Sequence, residues 1–451
     1  MAHAAPAANP PDADRPALPP DDALRTVLHD EVHARPSARI RLPALVIYVA
    51  VLNEGVTRDA ECDHLRRLPG QQDLPPAALQ GNFLRLRLDG FSVKWERHSE
   101  FTRYSIVQGL PDEAVARGLA AGAAPDGAGL APAVDAEWLR TIPGRTIAAI
   151  ELAMIEAPFD DPQAVLAAGR RGFGERTVVA SLMGGGHSCA VTDFRIQAGG
   201  YERILVLAPP GTSPTRAGRI SQRLLELETY RLMALRGLPV AKALAPVLHE
   251  TERALADITL RLEDAAASDQ ELLDRLTALA ARIERATAEH GYRFSATEAY
   301  HALVRQRIAE LREAPIPGTQ TIGEFMQRRL SPAMATVAST GQRLAALSQR
   351  IERAGALLRT RVDIATEAQN QQLLAKLTRG QELQLQLQST VEGLSIAAIS
   401  YYVVSLLLYG VKALKSAGLP LNAELTAGAL IPLVIWAVWK TTRRVHARLH
   451  G

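Results

Sequence analysis

Charge of one sign, cysteine and aromatic residues are all scarce in this chain. Its 451 residues carry 51 Lys and Arg against 48 Asp and Glu, a formal net charge of +3. That balance excludes the clustered basic excess of a nucleic-acid-binding protein, so no nucleic-acid partner is expected. The two cysteines, Cys62 and Cys189, exclude a disulfide scaffold and a Cys-rich zinc site. Aromatic residues make up 5% of the chain while AVILMFWYC residues reach 47%. The apolar content is therefore aliphatic and Ala, as in long packed helices. No G-x-S-x-G, Walker A, dinucleotide-binding or kinase signature occurs, so the chain is read as a non-enzyme and its cofactors are unknown.

The first 20 residues are Ala, Pro and Asp with almost nothing large and apolar. They cannot repay the entropy of ordering and are expected to form a disordered tail. They also lack the basic and apolar regions of a secretory signal. The runs that suggest a membrane lie near the C-terminus. Residues 394–411 are eighteen without a charge, about 27 Å of helix. A second run, 425–439, reaches spanning length if it starts near Ala417, and its Trp436 and Trp439 fit an aromatic belt. The alternative is a buried helical hairpin of a soluble protein. Lys440, Arg443, Arg444 and Arg448 outnumber Lys412 and Lys415 in the loop between the runs. The positive-inside rule then places the tail, and with it the large N-terminal region, in the cytoplasm. The lipid bilayer is the first partner expected.

The expected fold class is α+β. Residues 21–210 form a cytoplasmic α/β domain, 214–318 a helical region, 319–392 a stalk helix region and 393–451 a transmembrane hairpin with a basic tail. In the α/β domain, strands are expected at 44–52, 83–88, 91–96 and 101–107 with a helix at 59–68. The pattern recurs with a strand at 146–155, a helix at 162–171 and strands at 176–183, 188–196 and 201–207. Both halves read β-α-β-β-β, which suggests two similar units in one continuous sheet with helices on one side. Asp89-Gly90 supplies the positive φ of a tight hairpin turn.

Ser268–Glu271, Ser295–Glu298 and Thr321–Glu324 match the capping box and predict helix starts, with 269–290 and 296–313 as separate helices. Ser331-Pro332 opens the last helix. No proline occurs from 333 to 411, so one helix of about 120 Å would run from the cytoplasm into the membrane. Leu344, Leu347, Ile351, Ala354 and Leu358 form a seam with 3-4 spacing that Arg361 interrupts. Gly341, Gly380 and Gly393 are where bends are expected.

Two clusters invite chemistry. His29 and His33, four residues apart with Glu31 between them, can ligate a metal; the other reading of this stretch is structural. Gly184-Gly-Gly186-His187 lies between two predicted strands and reads as a hairpin turn rather than a phosphate cradle. On the first apolar run, Ser395, Ala398, Tyr402, Ser405 and Tyr409 recur at helical spacing. In lipid such a stripe faces protein or water, as a helix-helix interface or, with Gly410 and Lys412, as a pore lining.

Three strings, 28–36 (LHDEVHARP), 223–234 (RLLELETYRLMA) and 321–326 (TIGEFM), resemble an uncharacterised bacterial family of membrane-anchored proteins, a domain of unknown function. The order of parts is similar to that of CorA-type metal ion transporters. That resemblance implies a homo-oligomer, a pentamer in that family, with an ion pathway lined by the first span. Those spans end in Tyr-Gly-Met-Asn, whereas this one ends in Tyr409-Gly410-Val411-Lys412. A ring of Lys412 ammonium groups would repel a divalent cation. Two functions are carried forward: an ion channel or transporter, and a membrane-anchored scaffold or regulatory protein without transport.

Overall fold

Eight strands make one mixed sheet in the computed structural model, which describes residues 19–26, 28–29, 38–111, 132–174, 176–262, 268–417 and 423–449. The strands are β1 (Ala44–Leu52), β2 (Phe83–Arg87), β3 (Phe91–Arg97), β4 (Phe101–Gly109), β5 (Arg145–Glu156), β6 (Val179–Met183), β7 (Ser188–Ile196) and β8 (Glu202–Ala208). Their order is β2-β3-β4-β1-β5-β8-β7-β6. Every residue of β1 is buried because it pairs antiparallel with both β4 and β5 at the centre of the sheet.

Each half has its first strand innermost and its second at the edge. The halves differ in direction: β1 and β4 are antiparallel, β5 and β8 parallel. The two units therefore share an order and not a topology. Helices cover both faces, which corrects the one-sided expectation. On one face, α1 (Arg58–Arg66) and α2 (Ala136–Arg140) bury Leu65 and Trp138 against Leu45, Ile47 and Val49. There too, α3 (Pro162–Arg171) sets Val165 and Leu166 against Leu205 and Leu207. On the other face, α4 (Pro214–Leu235) sets Leu224, Leu227 and Met233 against Val46, Tyr48 and Ala50. The reason is the continuous apolar run of β1, which leaves no face that tolerates water.

The remaining helices are α5 (Gly237–Leu262), α6 (Asp269–Leu311), α7 (Ile322–Arg329), α8 (Ser331–Ser416) and α9 (Ala423–Leu449). The break expected between 290 and 296 is absent, and α6 runs on for 43 residues. Thr297 of the second box is buried, and a Cβ on Gly237 would lie 2.4 Å from its hydroxyl. The box residues thus serve a close helix crossing instead of a helix start. The third box is real: the Thr321 side chain accepts from the Glu324 amide and the Glu324 carboxylate from the Thr321 amide. Just before it, residues 311–320 cover the outer edge of β6, with Ala180 donating to Gln320 and Leu182 exchanging bonds with Ala314. Helix α8 continues through Gly341, Gly380 and Gly393 over 86 residues, since a lone helical Gly costs only about 1 kcal/mol.

The chain divides into two compact units, one of residues up to 257 with 278–352, the other of 258–277 with 353–451. In the first, Leu344, Leu347 and Ile351 of the predicted seam are buried. In the second, Leu358 is buried, Gly355 faces Leu276, and Arg361 pairs with Asp269 at 3.1 Å. Arg361 ends the seam because its guanidinium is used there.

Candidate functional site

Among the described residues two helices are long and apolar enough to cross a membrane. Only 11% of the apolar window in α8 and 6% of that in α9 is buried, which argues against a core hairpin. Among the residues of the apolar windows whose burial is described, the shaded positions are Ile396, Ser400, Val403, Val404, Ser405, Leu408 and Val411 along α8, and Thr426, Leu430, Val434, Val438 and Thr442 along α9. Of the predicted stripe, Ser395, Ala398, Tyr402, Tyr409, Gly410 and Lys412 are exposed and Ser405 is half-buried. Tyr402 and Tyr409 are each 68% exposed.

The stripe does not begin at the first span. Leu373, Leu377, Gly380, Leu383, Leu387, Val391, Leu394, Ala398, Tyr402, Ser405 and Tyr409 follow one another along α8, on average about 3.6 residues apart, the period of a straight helix. The sequence showed its lower part as polar positions in an apolar run. The upper part is apolar positions among Gln and charged residues. At the far end of α9, Lys440 lies 4.5 Å from the Trp436 ring and Arg443 4.7 Å from that of Trp439.

The other predicted residues are not brought together. His29 is exposed, and Glu31 and His33 lie outside the described residues, as does most of the expected tail over 1–20. Among the described residues no group of three or more His, Cys, Asp or Glu could hold a metal. Gly184, Gly185 and Gly186 hold φ values of 63°, 71° and 94° in the turn joining β6 to β7, the hairpin reading.

Sequence reasoning missed a polar spine along α4, inside the string 223–234. Arg103 of β4 is 3% exposed and grips Glu96 with two bonds of 2.5 and 2.9 Å; its third nitrogen reaches Glu226 at 3.0 Å. Lys94 adds an ion pair to Glu96 at 2.9 Å, and Arg307 of α6 one to Glu226 at 2.6 Å. Burial pushes the Glu96 carboxyl up, but Arg103 and Lys94 outweigh it and hold it at about 2. One turn on, the Tyr48 and Thr229 hydroxyls bond at 2.7 Å. Farther along, Glu228 and Arg231 meet Glu202 of β8. Burial and then the Glu228 charge push the Glu202 carboxyl up to about 9. Lys94 and Glu96 alternate with Val93 and Trp95, which reads as a half-solvated strand; α4 and α6 cover the polar side instead. This spine fixes α4 on the sheet through paired charges.

No curated protein matches the chain. The likeness to CorA-type transporters rests on the order of parts and the Tyr409-Gly410 pair, and the family match does not confirm it. One family model, described as a protein of unknown function (DUF3422), matches residues 20–449. Leaving out only nineteen residues at the start and two at the end, that match shows the chain to belong to the DUF3422 family.

Proposed function

We propose that the chain is a self-associating bacterial inner-membrane protein, held in the bilayer by the end of α8 and by α9, and that ions cross along the seam of its first spans. The body and the basic tail lie on the cytoplasmic side. The continuous stripe from Leu373 to Tyr409 carries this reading. Its upper part exposes leucines where the surroundings are water, and such surface needs cover. Its lower part offers hydroxyls where the surroundings are lipid, and these need protein or water. Copies of the same helix about one axis satisfy both, and five copies would reproduce the CorA-type arrangement. A ring of Lys412 at the mouth disfavours divalent cations, so the permeant ion is read as an anion.

A second reading, a membrane-anchored scaffold or regulatory protein, is favoured by the same Lys412, which stands where the CorA-type pattern has Asn. Flux into vesicles containing the purified chain separates the two. A channel passes chloride and not Mg²⁺, and loses that flux when Ser395 and Ser405 are both changed to Leu. A scaffold shows no flux from the outset while keeping its assembly.

A further inference from the structure

We propose that the far end of α9 captures anionic phospholipids, taking their phosphate groups on Lys440, Arg443 and Arg444. The inference rests on the membrane reading of α9 and adds to it the class of lipid that the chain gathers around itself.

The two sides of the helix point to this partner. At about 100° per residue, Val434, Val438 and Thr442 fall on one side, and these are positions that the rest of the chain shades. Val434 is only 8% exposed. Trp436, Trp439, Lys440, Arg443 and Arg444 fall on the opposite side, and all five are exposed. The side that carries the rings and the charges therefore looks away from the protein.

The protein itself does not neutralise those charges. Glu424 is the one acidic residue of α9, about 24 Å back along the axis from Lys440. Among the described residues the three cations have no carboxylate partner, and they stand within about 6 Å of one another along the axis. Lys440 lies 4.5 Å from the Trp436 ring and Arg443 4.7 Å from the Trp439 ring. In each pair the indole is on the apolar side and the cation one turn farther out, the order in which a bilayer presents acyl chains and then phosphate. A phosphate met at that level accepts charge-assisted bonds from the guanidinium groups. Each cation beside an anionic surface adds about fivefold to the affinity. A zwitterionic lipid brings the same phosphate together with an ammonium that repels these side chains, so the surface selects headgroups of net negative charge.

The test places the full chain in bilayers of phosphatidylcholine and phosphatidylglycerol in equal parts, with brominated acyl chains on one lipid or on the other, and reads tryptophan fluorescence. Trp95 and Trp138 are buried in the sheet unit, so the bromine reaches Trp436 and Trp439. Brominated phosphatidylglycerol should quench more strongly than brominated phosphatidylcholine, with a relative binding constant of about five or more. That preference should fall to about one in the triple variant Lys440→Gln, Arg443→Gln, Arg444→Gln, and in about 1 M salt. It should survive Lys412→Gln with Lys415→Gln, which removes charge elsewhere on the chain. Equal quenching by the two lipids, or a preference that the triple variant keeps, would overturn the proposal and leave α9 in the membrane. No quenching by either lipid would overturn the membrane reading along with it. The three side chains are exposed, so their substitution leaves the packing of the helix intact.

Discussion

Arg103 is 3% exposed and touches two carboxylates, whereas Leu385 of α8 is 65% exposed. The first belongs to the compact unit built on the sheet, the second to the unit containing the stalk and the apolar helices. In the sheet unit the charges beneath α4 are hidden and paired. In the stalk unit the leucines from Leu373 to Leu394 are in the open. Burying a charge is tolerable only when its partners are fixed, so the first region describes a structure complete within one chain. Exposing aliphatic side chains over several helical turns is tolerable only when something else covers them, and cover by lipid or by other copies is what the proposed function supplies for the second.

Substitution can break that comparison most severely at Arg103. Arg103→Met leaves Glu96 and Glu226 each with one fewer partner in a buried site, which should cost about 3–5 kcal/mol. Hydrogen exchange should accelerate across β3, β4 and α4, while peptides from α9 keep their wild-type rates. Gly218→Ala comes next. An added Cβ would sit 1.6 Å from the carbonyl oxygen of Ala38, and backbone cannot yield as a side-chain tip does. The loss should be about 2 kcal/mol, read as a lower thermal midpoint in detergent.

The smallest of the three effects sharpens the comparison and has the opposite sign. The Glu202 carboxyl is pushed from 4.5 up to about 9 in the folded chain. Between those values the unfolded chain releases that proton and the folded chain keeps it, so this group makes stability fall as pH rises through the window. Glu202→Gln should raise the thermal midpoint at about pH 8, by an amount equivalent to about 1 kcal/mol or more. The gain should vanish near pH 4.

The sheet was legible in the sequence where a strand is apolar along its length. The bounds expected for β1 and for α3 coincide with those observed, because an unbroken apolar run and a Pro at the helix start leave little choice. The parallel pairing of β5 with β8 was not legible, since strand patterns carry no direction. The spine of α4 was hidden for a related reason. Charged residues at alternate positions of β3 look the same whether water or a second layer of paired charges faces them. The first span was visible as an uncharged run, but the stripe joining it to the stalk needed a helix without interruption, and the glycines at 380 and 393 had suggested bends.

The most direct test of the account is the native mass of the full chain, released from lipid discs, beside that of a variant with Leu383→Glu and Leu387→Glu. One chain weighs 48.7 kDa. If the stripe on α8 is an interface between copies, the wild type gives a single multiple of that mass and the variant gives lower multiples with its sheet unit still folded. A wild type that appears only as one chain, or a variant with the same mass as the wild type, would contradict it.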